Sequence, residues 1–137
     1  MSLLLLSLFA FGVAFAAITA MMTAWNYDDL PDRIPIHFGF SPEPDGYGPK
    51  PMAWLLPVVQ AVALLISGVA VYQRPTAIRE VLATPAILDS VVLTLFAAQW
   101  LIIETAKNGP SVKRYRTFWL VFVLTMIVVP VSTIFAK

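Results

Sequence analysis

The only histidine of the chain, His37, stands among Asp28, Asp29, Asp32, Glu43 and Asp45 in a stretch that also holds six prolines. One imidazole with carboxylate oxygens is a donor set that suits a divalent cation, with His37, Asp32 and Asp45 as its ligands. Against this, the spacing matches no established metal motif and no second histidine is present. The simpler reading is an ordered loop in which His37 hydrogen-bonds locally while the acids cap turns and pair with Arg33 and Lys50. Nucleophilic catalysis has less to work with. Ser41 is the one serine near His37, and it lies in a proline-rich turn with no evident oxyanion site. The chain has no cysteine, which removes disulfides, thiolate zinc sites, iron–sulfur clusters and thiol chemistry together. A lone imidazole in a loop also leaves haem or chlorophyll without a helix-borne ligand. The expectation is therefore a protein that is not an enzyme, with no catalytic residue and no cofactor.

The elements that carry this loop are apolar. Of 137 residues, 59% are hydrophobic and 12% charged, where a soluble domain carries roughly 25% charged residues. A net charge of +1 gives no attraction to nucleic acid. The length suits one membrane domain over residues 1–137. A spanning helix needs about 20 mostly apolar residues, and four runs qualify, at about 3–25, 52–72, 85–105 and 117–136. The expected fold is an all-α bundle of four transmembrane helices with an ordered proline-rich loop, 26–51, between the first two. The first run lacks a basic residue ahead of it and exceeds the roughly 7–15 residues of a signal-peptide core, so it is expected to be retained and to span. The third carries Asp89, Gln99 and Glu104, with the two acids near its ends, where charged groups reach the interface.

Four crossings put the links 26–51 and 106–116 on one face. All four tryptophans (Trp25, Trp54, Trp100, Trp119) fall near that face, as an interfacial belt requires. Arg33, Lys50, Lys107, Lys113, Arg114 and Arg116 lie there too, against Arg74, Arg79 and Lys137 on the other side, so the positive-inside rule assigns that face to the cytoplasm. Lys113, Arg114 and Arg116 form a basic cluster suited to anionic lipid. Within lipid, helices associate through small residues and interhelical hydrogen bonds. Gly12, Ala16, Ala20 and Ala24 recur at intervals of four on the first helix and form a small-residue ridge. Ala63, Ser67 and Ala70 offer a looser counterpart on the second. Gln60 and Gln99 fall at similar depth below the loop face, where they could meet, with Thr125 nearby.

The loop itself is the least generic segment. Its prolines fix φ and extend the residues before them, Asp45-Gly46 is a turn signal with Gly46 and Gly48 free to take positive φ, and Ile34, Ile36, Phe38, Phe40 and Tyr47 offer apolar surface for folding back on the bundle. The run Leu30-Pro31-Asp32-Arg33-Ile34-Pro35-Ile36-His37-Phe38-Gly39, followed by Glu43-Pro44-Asp45-Gly46-Tyr47-Gly48-Pro49-Lys50, resembles the loop signature of the bacterial domain of unknown function found in SdpI-type immunity proteins. That signature reads approximately LPDxIPxHF, a spacer, then PDGYG and a small residue before Lys. Here Ile36 replaces a usual Thr, Pro42 a common Gly, and Pro49 a Ser. The resemblance implies a protein of the bacterial inner membrane. Its studied members protect the cell from a secreted peptide toxin and contribute to signalling, on a longer six-helix architecture.

Two functions follow as expectations. One is an accessory structural subunit that docks by helix faces on a larger bacterial membrane complex, for which a respiratory or photosynthetic assembly is a natural host. The other, implied by the resemblance, is an immunity or signalling protein that uses loop 26–51 for recognition.

Overall fold

The computed structural model describes residues 3–73 and 78–128. Helix α1 (Leu3–Asn26) leads into a β-hairpin of β1 (Arg33–Phe38) and β2 (Pro44–Pro49); a 3-10 turn (Lys50–Trp54) then opens α2 (Leu55–Gln73), followed by α3 (Ile78–Asn108), α4 (Val112–Val123) and a π-helical turn (Leu124–Val128). Three segments are long and apolar enough to cross a membrane: Leu6–Asn26, Lys50–Val69 and Ile87–Asn108. Residues 129–136 of the expected fourth run lie outside the described residues, as do Arg74 and Lys137.

The distribution of side chains is that of a membrane protein. Leu6, Phe11, Val13, Ile18, Met21, Val62, Leu65 and Ile66 are exposed, while Thr19, Thr23, Gln60, Asp89, Ser90, Gln99 and Thr105 are buried. Exposed apolar side chains suit lipid, and among the buried polar ones Gln60, Gln99 and Thr23 supply interhelical bonds that lipid cannot replace.

Helices α1 and α3 run parallel and pack directly on each other, both toward the hairpin, with α2 antiparallel to both and packed against both; Thr23 faces Gln99 near the hairpin end and Gly12 faces Asp89 near the other. Helix α3 is longer than expected from the apolar run. It starts at Ile78 rather than 85 and passes through Pro85. A proline removes one backbone donor, a loss that neighbouring groups can offset inside a bundle. The earlier start leaves Asp89 eleven residues inside the helix instead of at its end.

The α3–α4 link is also shorter than the expected 106–116. Gly109 ends α3 at φ 78, its N–H donating to Thr105 O at 2.9 Å, as a left-handed residue after a helix does. Ser111, with extended backbone, then caps α4, its Oγ accepting from Arg114 N at 3.5 Å. Lys113, Arg114 and Arg116 therefore belong to the first turns of a helix. Because an L side chain in the left-handed region costs about 1–2 kcal/mol, Gly109→Ala is expected to lower stability in detergent by that amount. Thermal unfolding checks it, and an unchanged midpoint would contradict the role assigned to this turn.

Candidate functional site

The segment 26–51 is a hairpin, where the prolines alone suggest a stiff loop. Strands β1 and β2 pair antiparallel, with Arg33 opposite Pro49, Ile34 opposite Gly48, Pro35 opposite Tyr47 and His37 opposite Gly46, and with register irregularities on either side of His37. The reversal falls between Phe38 and Pro44, where Glu43 N donates to Ser41 Oγ at 3.1 Å, and not at Asp45-Gly46. Gly46 and Gly48 lie in β2 without positive φ. Their role is close approach: a Cβ on Gly46 would stand 2.9 Å from His37 Cβ, and one on Gly48 would stand 2.5 Å from Met52 Sδ.

Ile34 anchors the hairpin. It is fully buried in a cluster with Leu30, Ala53 and Ile103, flanked by Met22, Tyr27, Met52, Ile102 and Ala106. Ile36, Phe40 and Tyr47, expected to fold back, face outward instead, with Phe40 fully exposed. For Ile36 the bulge explains this: alternation would put it on the inner face with Ile34, and the irregularity after Pro35 carries it outward. Polar ties complete the attachment. Tyr115 of α4 donates its hydroxyl to Gly39 O at 2.5 Å, and Lys107 of α3 reaches Asn26 Oδ1 at 2.8 Å and Asp29 Oδ2 at 3.6 Å. The hairpin and the 109–111 link thus share one end of the bundle.

The acids of the loop do not pair with Arg33 and Lys50 as expected. Arg33 donates to Tyr47 O, and Lys50 Nζ donates to Asp28 O at 3.3 Å and sits 5.0 Å from the centre of the Tyr27 ring. His37 Nδ1 and Asp45 Oδ1 meet at 2.5 Å on the outer surface. Asp32 is not with them; its carbonyl accepts Lys50 N at 2.9 Å. Among the described residues no three His, Asp or Glu side chains converge as a metal site would require.

Below the hairpin lies a stack of buried polar groups. Gln99 uses both amide protons, donating to Thr23 Oγ1 and to Ala53 O, each at 2.8 Å, so one side chain of α3 binds α1 and the start of α2. Thr23 passes its own proton to Thr19 O at 2.9 Å. Gln60 does not meet Gln99. It donates to Val92 O at 2.9 Å, seven residues along α3 and therefore about 10 Å deeper at ~1.5 Å per residue. Asp89 lies a further turn down, and a Cβ on Gly12 would stand 2.8 Å from its Oδ1 and 3.0 Å from Leu64 Cδ2. On the α4 side, Thr94 and Thr125 hydroxyls meet at 2.8 Å, and Arg114 stands 3.9 Å from Glu104, which also accepts from Asn108.

Of the small-residue ridge, Gly12 is buried, Ala16 and Ala20 are half-buried and Ala24 is exposed. Steps of four advance about 40° around a helix of 3.6 residues per turn, so the ridge drifts off the contact. The buried face is Gly12, Thr19 and Thr23. Ala63 and Ser67 are half-buried on α2.

Residues 14–61 match the family model of a domain of unknown function, DUF1648. The matched third of the chain runs from the middle of α1 through the hairpin to Ala61, so it contains Thr19, Thr23, Ala53 and Gln60. Their partners Val92 and Gln99 lie beyond the DUF1648 segment. No curated protein and no solved structure matches the chain.

Proposed function

We propose that the protein is a non-catalytic subunit of a larger membrane complex of the bacterial inner membrane, docking through helix faces, with α4 as the principal one. The observation that carries this reading is the attachment of α4. It packs mainly along α3 and buries no side chain, which leaves Leu120, Val123, Leu124 and Ile127 exposed. A helix held along one edge in this way offers its remaining face to a neighbour. In this reading the chain crosses four times, and the hairpin and 106–116 face the cytoplasm. A groove of about 470 Å³ lined by Val112, Lys113, Arg116, Thr117 and Leu120 then takes an anionic lipid at the interface. Arg114 turns away from that groove toward Glu104 and Gly109 O. A respiratory or photosynthetic assembly is the natural host. Extraction in mild detergent, native electrophoresis and mass spectrometry test the proposal. Stoichiometric co-migration with a large complex is expected, and migration as a small lone particle sinks it.

A second reading, SdpI-like immunity or signalling, draws on the hairpin. Ile36, Phe40 and Tyr47 are exposed on a platform anchored by Ile34, and exposed aromatics on a rigid support are a recognition surface. Deleting the gene would then sensitise cells to a secreted peptide toxin; unaltered sensitivity counts against it.

A further inference from the structure

The tip of the hairpin is fastened to a row of aromatic rings on α4. Tyr115 donates its hydroxyl to Gly39 O at 2.5 Å. From Tyr115 the row runs on through Trp119, Phe118 and Phe122, with neighbouring ring centres 5.3–6.2 Å apart. The residue after Gly39 is Phe40, the most exposed large apolar side chain among the described residues. A single exposed phenyl needs no explanation, but this one continues a row that descends along a helix at the perimeter of the bundle. Helix α4 packs mainly along α3 and buries no side chain.

The depth of the tip follows from how α4 lies on α3. The Thr94–Thr125 bond and the Arg114–Glu104 contact set the two helices antiparallel. Tyr115 is therefore level with Glu104 and its buried neighbour Ile103, about 6 Å inside the end of the apolar span Ile87–Asn108. A separate contact gives the same level, because Ile34 of the hairpin shares a buried cluster with Ile103. Tyrosine and tryptophan at this depth mark the zone where headgroups meet acyl chains. The tip thus hangs at the rim of the bundle, at the height of that zone. A phenyl carries no polar group, so the environment that suits it there is apolar and requires no particular headgroup.

We propose that Phe40 inserts into the interfacial zone of the lipid bilayer and anchors the hairpin tip to the membrane beside α4. The proposal rests on α4 crossing the membrane, as read above, and goes beyond it by giving the hairpin a lipid contact of its own. Of the outward side chains in the second reading it claims Phe40 alone; Ile36 and Tyr47 lie on the strands.

The chain has no cysteine, so Phe40→Cys, Glu43→Cys and Leu120→Cys each supply a single thiol for a bimane fluorophore. Each full-length protein is placed in phosphatidylcholine vesicles and quenched from lipid, by a nitroxide-bearing phosphatidylcholine, or from water, by iodide. The label at 40 is expected to be quenched from lipid and to be about fivefold less open to iodide than the label at 43, because an ion is excluded from hydrocarbon. Position 120 reports on α4 itself. Lipid quenching at 120 with iodide quenching at 40 overturns the proposal and leaves the crossing of α4 standing; iodide quenching at both overturns the two together. A second measurement keeps the ring, with p-cyanophenylalanine incorporated in place of Phe40. Its nitrile stretch in vesicles is expected to shift from the wavenumber of the free amino acid in water toward that in tetrahydrofuran, and a nitrile hydrated as in water overturns the proposal.

Discussion

Gly12→Ile is expected to lower the stability of the bundle by about 3 kcal/mol, the upper part of the range for overpacking a closed core. Its Cβ would stand 2.8 Å from Asp89 Oδ1 and 3.0 Å from Leu64 Cδ2, with two branches beyond. Both neighbours are side-chain ends, so the single methyl of Gly12→Ala can be met by small rotations and is expected to cost about 1 kcal/mol. The branched side chain has no such escape, because Asp89 is buried and α2 and α3 both flank the position. Unfolding in mixed micelles of increasing denaturing-detergent content, followed by tryptophan fluorescence, measures both. A Gly12→Ile protein as stable as wild type would mean that α1 does not sit against Asp89.

Gln99→Leu is the second substitution with a large expected effect, a loss of about 1–3 kcal/mol from two interhelical hydrogen bonds of ~0.6–1.7 kcal/mol each. The residue is buried and donates to Thr23 Oγ1 and Ala53 O. Leucine would fill the space and leave both acceptors facing an apolar group. Thr23→Val removes one acceptor and the hydroxyl bond back to Thr19 O, and is expected to cost about half as much. In the double variant the two losses should fall short of additivity, since one bond is deleted twice. Additive losses would show that Gln99 and Thr23 act separately.

The helices were legible in the sequence because apolar length is a one-dimensional property. Their ends were less so. Helix α3 begins at Ile78 because a helix does not stop where its sequence turns polar, so Asp89, which would be interfacial in a helix starting at 85, is buried well inside this one. The hairpin was hidden for a different reason. With Pro35, Pro44 and Pro49 in its strands and Gly46 and Gly48 facing His37 and Ile34, it lacks the alternation of branched and polar residues by which strands are recognised. The link expected over 106–116 is too long because basic residues read as link on composition alone, although Gly109-Pro110-Ser111 holds the signal for the turn, a left-handed glycine followed by proline and a capping serine. Gln60 and Gln99 stand out as polar residues in apolar runs, yet their partners are a backbone carbonyl each and, for Gln99, one threonine. Which carbonyl faces a given amide depends on helix rotation and register, and neither is written in a single helix.

The bond between Gln99 and Thr23 spans 76 residues of chain, and that between Gln99 and Ala53 spans 46. During synthesis, α1 and α2 therefore leave the ribosome with no hydroxyl, carbonyl or amide of α3 to receive them. The pair must wait in the lipid or beside the insertion machinery until nearly the whole of α3 has been made. A nascent chain halted before Gln99 would have the Gln60–Val92 bond but neither of the two that fasten α1 and the turn before α2 to α3.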